Sequence, residues 1–252
     1  MKLAHRKPGA SQLRPVVCST ALALTLMAPC GAAFAQEDAG TRNFEIYFGA
    51  GGGASPMQLD SRDFNANAGG FFTSIPGNVQ QVSQDSSLSG GYKGFLGVRL
   101  FRYVGLEAGF GSLGSVSFTA EGTNWGGGLN TFTNKGDYAA SMAYRAVLLT
   151  LPTDDHGSYI HVKGGTADVD VTLTESISIT SGFSTFEDKR TTTKSSTHPL
   201  FGIGYTMAVG EKNGRLRFEL EHLGEIGDVY KFGESPGRAS VTFISTSYII
   251  SF

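Results

Sequence analysis

The sequence is poor in cysteine: it has only Cys18 and Cys30, both within the first 30 residues. The rest of the chain therefore has no thiol for a disulfide, a catalytic nucleophile or a metal-thiolate site. Neither sign of charge is in excess, since the chain has 20 Lys and Arg and 22 Asp and Glu. This balance gives no indication of a nucleic-acid partner. Beyond residue 36 no apolar run reaches about 18 residues, so further membrane insertion would have to use strands.

The N-terminal segment has the pattern of a cleaved secretory signal. A basic stretch precedes the apolar run VVCSTALALTLMAPCGAA, and small residues follow it. A membrane-spanning helix is the alternative, but polar residues and a proline interrupt the run before it reaches about 20 apolar residues. A lipid anchor on Cys30 is a minor alternative, because Pro29 before it fits such sites poorly. We predict a signal peptide over 1–35, with Ala33, Ala35 and Gln36 at the cleavage site, and a mature domain over 36–252.

Glycine is abundant, at 35 residues against 8 prolines. It has no collagen-like period, and a hydrophobic content of 40% is too high for a disordered chain. Glycine is therefore expected inside ordered structure.

The final stretch alternates with period two, as a strand does. One face carries Thr242, Ile244, Thr246, Tyr248, Ile250 and Phe252, and suits lipid. The other face is mostly serine, with Phe243 and Ile249 as exceptions. A strand of a soluble sandwich would alternate similarly, so this segment alone does not decide between the two.

Seven upstream segments repeat the alternation. With the last strand, they predict eight strands near 44–50, 92–100, 104–111, 138–148, 159–163, 201–209, 215–222 and 242–252. In the sixth, bulky residues such as Phe201 and Ile203 alternate with Gly202 and Gly204. A soluble core would need packing on the glycine face, whereas glycine there makes room for long charged side chains from neighbouring strands.

The connections between these segments alternate in length. Long ones follow the first, third, fifth and seventh strands, and short ones follow the others. Outer-membrane barrels have short periplasmic turns and long outer loops. The sequence therefore predicts an all-β, eight-stranded, antiparallel up-and-down transmembrane β-barrel with both termini periplasmic, and the four long connections as its exposed working surface.

Charged residues fall on the faces opposite the apolar ones. We predict a polar network in the lumen formed by Glu45, Lys93, Arg99, Glu107, Arg145, Lys163, Arg215, Arg217, Glu219 and Glu221. Buried charge of one sign would be costly, so opposite charges should pair. An eight-stranded barrel has room only for side chains or one small ligand, which favours a plug, and a gated or transient water path remains the alternative.

The alternation changes parity after Gly164-Gly165. Asp168 and Asp170 then occupy the face that had carried apolar groups, and carboxylates are tolerable there only outside the bilayer. This hairpin is therefore expected to project above the membrane, either as a solvated hairpin or as an edge for β-augmentation by another protein. The long polar connections could instead contact lipopolysaccharide through their cations. These cations are Lys135 in the long connection after the third strand, and Lys189, Arg190 and Lys194 in the hairpin.

The sequence resembles the small eight-stranded outer-membrane barrels related to the OmpA transmembrane domain and the opacity-like surface proteins. The resemblance rests on the segments FEIYFGAGGGAS, GFLGVRLFRYVGLEAGFG and LRFELEHLGEIGDVY and on the last strand. The resemblance covers about residues 41–252. It implies the outer membrane of a Gram-negative bacterium, and a C-terminal signal read by the barrel assembly machinery at Ile244, Tyr248, Ile250 and Phe252. Other partners expected are outer-membrane lipid and lipopolysaccharide, and a host or cell-surface protein.

The expected function is that of a surface protein with structural and adhesin-like binding roles through its outer loops. The alternatives are a narrow porin-like channel for small solutes and, third, a rim enzyme acting on lipid A. His222, Glu225 and Asp228 cluster near a predicted rim, but no serine stands beside His222 to act as the nucleophile of a lipid A deacylase. We therefore predict no enzyme, with no catalytic, cofactor-binding or metal residues.

Overall fold

The computed structural model describes residues 44–59, 77–84, 88–124, 130–154, 157–182, 184–209, 214–227 and 238–252. They form ten strands: β1 (Phe44–Ser55), β2 (Gln58–Leu59), β3 (Gly77–Gln84), β4 (Ser89–Leu100), β5 (Val104–Asn124), β6 (Asn130–Pro152), β7 (Tyr159–Ser181), β8 (Ser184–Ala208), β9 (Gly214–Gly227) and β10 (Arg238–Ser251). Within these ranges no helix is long and apolar enough to cross a membrane. The signal peptide predicted over 1–35, with its cleavage site, lies outside the described residues.

Eight of the strands form a closed ring. Each pairs antiparallel with its neighbour in the order β1-β4-β5-β6-β7-β8-β9-β10. β10 returns to β1 along Tyr47–Ala54, which closes the sheet and removes its edges over that stretch. The predicted eight-stranded up-and-down barrel is therefore confirmed. The connection after β1 additionally holds β2, which pairs with β10, and β3, which pairs with β5.

The ring strands are of two lengths. β1, β4, β9 and β10 have 12 to 14 residues, whereas β5 to β8 have 21 to 25. A tilted strand crosses a bilayer with about 9–11 residues, so β5 to β8 extend well beyond it. The prediction of long loops is therefore wrong for two of the four connections, because most of their residues belong to strands. Only residues 125–129 separate β5 from β6, and only Gly182 and residue 183 separate β7 from β8.

This extension forms a projecting sheet. β7 and β8 pair without interruption from Tyr159↔Thr206 to Ser181↔Ser184. β8 pairs with β9 only over Phe201–Ala208, so in the described part of the chain Ser184–Leu200 has a strand neighbour on one side only. The projection expected from the parity change at Gly164-Gly165 is present, and it includes β5 and β6 as well.

The polarity of the two faces reverses along the barrel. Near the short turns, the outer face is apolar and the inner face is charged, as a wall in contact with lipid requires. Further along, the inner face is apolar and the outer face is rich in Ser, Thr and Asp, as in a water-soluble protein. The apolar interior that begins above the charged residues and continues into the projecting part includes Leu113, Val116, Phe118, Phe132, Tyr138, Val169, Val171, Leu173, Leu200, Leu223, Ile226, Val241 and Phe243.

Tight turns and a side-chain bridge shape the two ends. Phe101 and Arg102 both have positive φ, of 52° and 64°, and the Tyr103 N–H donates to the Leu100 carbonyl at 3.2 Å. Two consecutive positive φ values match the twist of a hairpin. At the opposite end, the Gln84 side-chain amide exchanges two 3.0 Å hydrogen bonds with the Leu59 backbone. This links β3 on one wall to β2 on the other.

Candidate functional site

The inner faces of β4, β5, β7 and β9 bring together six charged side chains, which we call the inner cluster. Its members are Glu107, Glu219, Glu221, Lys93, Lys163 and Arg217. Lys163 is central, because its Nζ donates to Glu107 at 2.8 Å, to Glu219 at 3.0 Å and to Glu221 at 2.7 Å. Three carboxylates therefore meet three cations, and each carboxylate contacts at least two cations or tyrosines. Since all six are buried, the pairing neutralises charge that water cannot reach.

A second charged group lies nearer the short turns. Glu45 of β1 accepts hydrogen bonds from Arg99 of β4 and Arg215 of β9, and Arg215 also donates to Ser251 at 3.0 Å. Arg99 lies over the Tyr159 ring, 4.7 Å from its centroid. Two arginines share one carboxylate here, and these side chains retain slight solvent exposure. The unbalanced positive charge is therefore at the mouth of the barrel and not at its centre.

Aromatic side chains fill the space around the inner cluster. The hydroxyls of Tyr47 and Tyr144 donate to Glu107 at 3.1 and 2.9 Å. The guanidinium of Arg217 lies 5.3 Å from the Tyr47 ring centroid and 4.8 Å from that of Phe95. Cation–π contacts and tyrosine hydrogen bonds thus help to hold the cations and carboxylates in place.

The inward-facing glycines make room for these side chains. A Cβ on Gly97 would lie 2.2 Å from the Tyr47 ring, and one on Gly204 would lie 2.5 Å from the His161 ring. His161 in turn contacts Glu219 through Nε2 at 2.8 Å. This is the use of glycine expected from the sequence. It produces a lumen filled by side chains instead of an open pore.

Nine of the ten residues predicted for the lumen lie there; Arg145 does not. Its side chain is exposed on the outer wall, where its Nε donates to Thr166 at 3.1 Å. The predicted orientation of β6 is wrong, because Met142 and Tyr144 point inward, whereas Val147 and Leu149 are exposed. Arg145 is therefore outside the charge network.

The outer face of the projecting sheet is hydroxylated and acidic. Thr172 faces Thr193 with their hydroxyl oxygens 3.2 Å apart, and Thr197 donates to Asp168 at 2.6 Å. Along the one-sided edge of β8 the residues Glu187 to Arg190 are all exposed. These are two acidic residues followed by two basic ones, and charged side chains on a strand edge hinder unspecific pairing with other sheets. Of the cations expected to contact lipopolysaccharide, Lys135, Lys189 and Arg190 are exposed and Lys194 is partly buried.

A serine–histidine contact that the sequence analysis missed lies on β8. The Ser196 hydroxyl is 2.7 Å from His198 Nε2, and partial burial lowers the pKa of His198 below its ordinary value. In the described ranges, no carboxylate contacts His198, so the third group of a catalytic triad is lacking. His222, weighed earlier as a base, contacts Thr242 at 3.0 Å, and Asp228 lies outside the described residues. Among the residues described, no three His, Cys, Asp or Glu side chains are placed to hold a metal.

A family model gives the broadest comparison. The family described as "OmpA-like transmembrane domain" matches residues 41–249. Among curated proteins no match was found.

Solved structures of small barrels are also similar. The attachment invasion locus protein Ail of Yersinia pestis is 10% identical with a TM-score of 0.44, over 84% of this chain and 100% of that one. The N-terminal β-barrel domain of Pseudomonas aeruginosa OprF is 12% identical with a TM-score of 0.34, over 84% and 98%. OprG of the same organism is 11% identical with a TM-score of 0.38, over 83% and 95%. Likenesses this distant say nothing about ligands.

Proposed function

Because the chain belongs to the OmpA-like transmembrane domain family, we propose that it is a plugged outer-membrane barrel that displays a β-sheet for binding to other macromolecules. The observation that carries this proposal is the edge of β8 from Ser184 to Leu200, which has a described strand neighbour only on the β7 side. A strand edge can pair through its backbone N–H and C=O groups with an extended segment of another protein. We place this sheet outside the cell.

The orientation follows from the turns. The connections at Phe101–Tyr103 and between β6 and β7 are short, and Phe44 of β1 lies at the same end. Short turns are characteristic of the periplasmic side, so we assign both ends of the barrel domain to the periplasm. The pattern proposed for the assembly machinery is consistent with this, because Ile244, Tyr248 and Phe252 face outward and Phe252 stacks on Phe48 with ring centroids 5.7 Å apart.

Shortening the projecting hairpin is expected to abolish adhesion and leave the barrel intact. Residues 178–187 are replaced by an Asn-Gly turn, which joins Ile177 to its strand partner Asp188. Non-adherent bacteria that display the full chain should bind cultured host cells, and the shortened chain should bind roughly tenfold less or worse, equivalent to about 1.4 kcal/mol or more. Adhesion is measured by counting bound cells.

The matched control replaces Phe186 with Ala, because this exposed side chain is at the tip and leaves the edge in place. Both variants should still migrate faster unboiled than boiled on a denaturing gel, as folded barrels do. If the shortened chain folds and adheres like the full chain, residues 178–187 are not the binding part. If the full chain promotes no adhesion, the adhesin-like role is wrong.

The charge-filled lumen argues against the channel alternative. In planar lipid bilayers, the folded chain is expected to give no sustained conductance, because Lys163, Arg217 and Glu107 occupy the centre of the barrel. Neutralising Arg145 should change nothing, since it is on the outer wall. Discrete, long-lived conductance steps in the unmodified protein would contradict the plug and favour a narrow channel.

A further inference from the structure

Arg145 is an arginine on a wall that is otherwise suited to lipid. Strand register places it between Ala108 of β5 and Thr166 of β7. Its Nε donates to the Thr166 hydroxyl, and among the described residues no carboxylate forms an ion pair with it. The remaining N–H groups of the guanidinium therefore face the surroundings of the barrel. Arginine presents these donors as a planar fork that matches a phosphate with two parallel hydrogen bonds.

The neighbouring rows of the sheet define the height of Arg145 on the wall. One row towards the short turns, the outer face carries Leu106, Val147 and Gly164. One row in the other direction it carries Phe110 and Ala143 on β5 and β6, and on β7 Asp168, paired with Thr197. On the β7 side Arg145 is thus close to the upper limit of the apolar band, which extends further up on β5. A charge near this limit, where lipid headgroups begin, is much less costly than one at the bilayer midplane.

A hollow in the wall is lined in part by Arg145 and Thr166. Its volume is about 410 Å³, within the range of about 300–1,000 Å³ usual for small-molecule pockets. Its lining is mainly apolar, with Leu96, Val98 and Leu106 on one side of Val147 and Gly164 on the other. A Cβ built on Gly164 would meet no atom within 4 Å. The hollow is therefore open to the surroundings and mainly apolar, with Arg145 and Thr166 among its lining residues.

We propose that this hollow binds a phosphorylated lipid of the outer leaflet. Arg145 and Thr166 hold the phosphate, and an acyl chain lies over Gly164 beside Val147. The proposal rests on the proposed outer-membrane placement and adds a specific lateral site to it. Charge complementarity selects the occupant: a cation that forms no ion pair with a carboxylate of the described chain stands near the headgroup level, beside a hollow with a mainly apolar lining. Lipopolysaccharide, which carries phosphates and acyl chains, has this chemistry.

The test measures lipid retention by the folded barrel in neutral detergent micelles, by native mass spectrometry. The probes are diphosphorylated lipid A, the same lipid with its phosphates removed, and inorganic phosphate. We expect the unmodified chain to retain diphosphorylated lipid A in preference to the dephosphorylated form. Arg145→Leu should weaken retention about tenfold or more, since a charge-assisted hydrogen bond is lost, and Arg145→Lys should restore part of it.

Two further variants separate the headgroup from the acyl chain. Gly164→Leu places a side chain in the hollow at a position where a Cβ meets no atom within 4 Å, and it should weaken retention of both lipids alike, because it blocks the chain and leaves the cation. Arg102→Leu removes an exposed arginine at the short-turn end and should change nothing. It is the matched control for loss of one positive charge.

The outcomes that overturn the proposal are distinct from failure of the membrane placement. Equal retention by Arg145→Leu and the unmodified chain would mean that the guanidinium only extends into water. Competition by inorganic phosphate at the same concentration as the lipid would mean a simple anion site. If the chain shows no fast-migrating unboiled form in detergent, the barrel itself is absent and the placement fails first. A folded barrel that retains no lipid contradicts this inference alone.

Discussion

Glu219→Gln is expected to lower the free energy of unfolding of the barrel by about 3–5 kcal/mol, the usual cost of breaking a buried ion pair. Glu219 accepts from Lys93, from Lys163 at 3.0 Å and from His161 at 2.8 Å, and its side chain is 1% exposed. The three carboxylates and three cations of the inner cluster balance, so losing one carboxylate leaves a net buried positive charge. Urea unfolding in lipid vesicles, followed by the gel-mobility shift, measures the change.

The double variant Lys93→Met/Glu219→Leu separates pairing from packing. It removes one charge of each sign and should be less destabilised than the sum of its two single variants by about 1 kcal/mol or more. Glu121→Gln, at an exposed carboxylate of β5, should stay within about 0.5 kcal/mol of the unmodified chain. If Glu219→Gln behaved like Glu121→Gln, water would be solvating the lumen and the plug would be wrong.

Period-two alternation predicted the barrel because lipid and lumen demand opposite polarities on successive residues. Where a strand has lipid on one side and the charged lumen on the other, as at Glu107 between Leu106 and Ala108, the sequence alone predicted which residue points inward. The ring closure between β1 and β10 could be expected from antiparallel order, but its register could not. Residues far apart in sequence, such as Glu45 and Arg215, meet only once the ring is closed.

The error at Arg145 has a physical cause. β6 begins in the projecting sheet and then crosses the membrane, so its inner face turns from apolar core to lumen lining without a change of parity. Tyr138 and Met142 point inward for that reason. In the sequence, the alternate apolar residues of β6 to which they belong look like a lipid-facing row. Since Val147 and Leu149 on the opposite face are also apolar, polarity alone could not distinguish the two sides.

The full length of the long strands could not be predicted from their composition. Ser- and Thr-rich segments such as 184–197 have the polarity of loops, yet threonine also favours strands. Their order comes from pairing with β7 and, at positions such as Leu173 and Ile177 of β7, from burial in the apolar interior. Sequence could predict that this hairpin leaves the bilayer, because of Asp168 and Asp170, but not that β5 and β6 accompany it.

Phe243→Ala is expected to destabilise the folded chain by about 3–5 kcal/mol, the usual cost of removing a buried phenylalanine. Phe243 faces the same side of β10 as Ser245 and Ser247, and the sequence alone gave no reason for an aromatic there. It is fully buried in the apolar interior of the projecting part, against Gly91, where a Cβ would lie 2.8 Å from its ring. Urea unfolding in vesicles measures the loss.

The position of Phe243 determines which part of the barrel the substitution destabilises. β10 closes the ring with β1 from Ile244 onwards, so a cavity at Phe243 loosens the apolar interior at the point where it meets the seam. Phe186→Ala, at an exposed phenylalanine of β8, removes the same atoms from solvent-exposed surface and should cost no more than about 0.5 kcal/mol. Equal losses in the two variants would mean that the projecting strands enclose no packed interior and that their polarity reversal contributes nothing to stability.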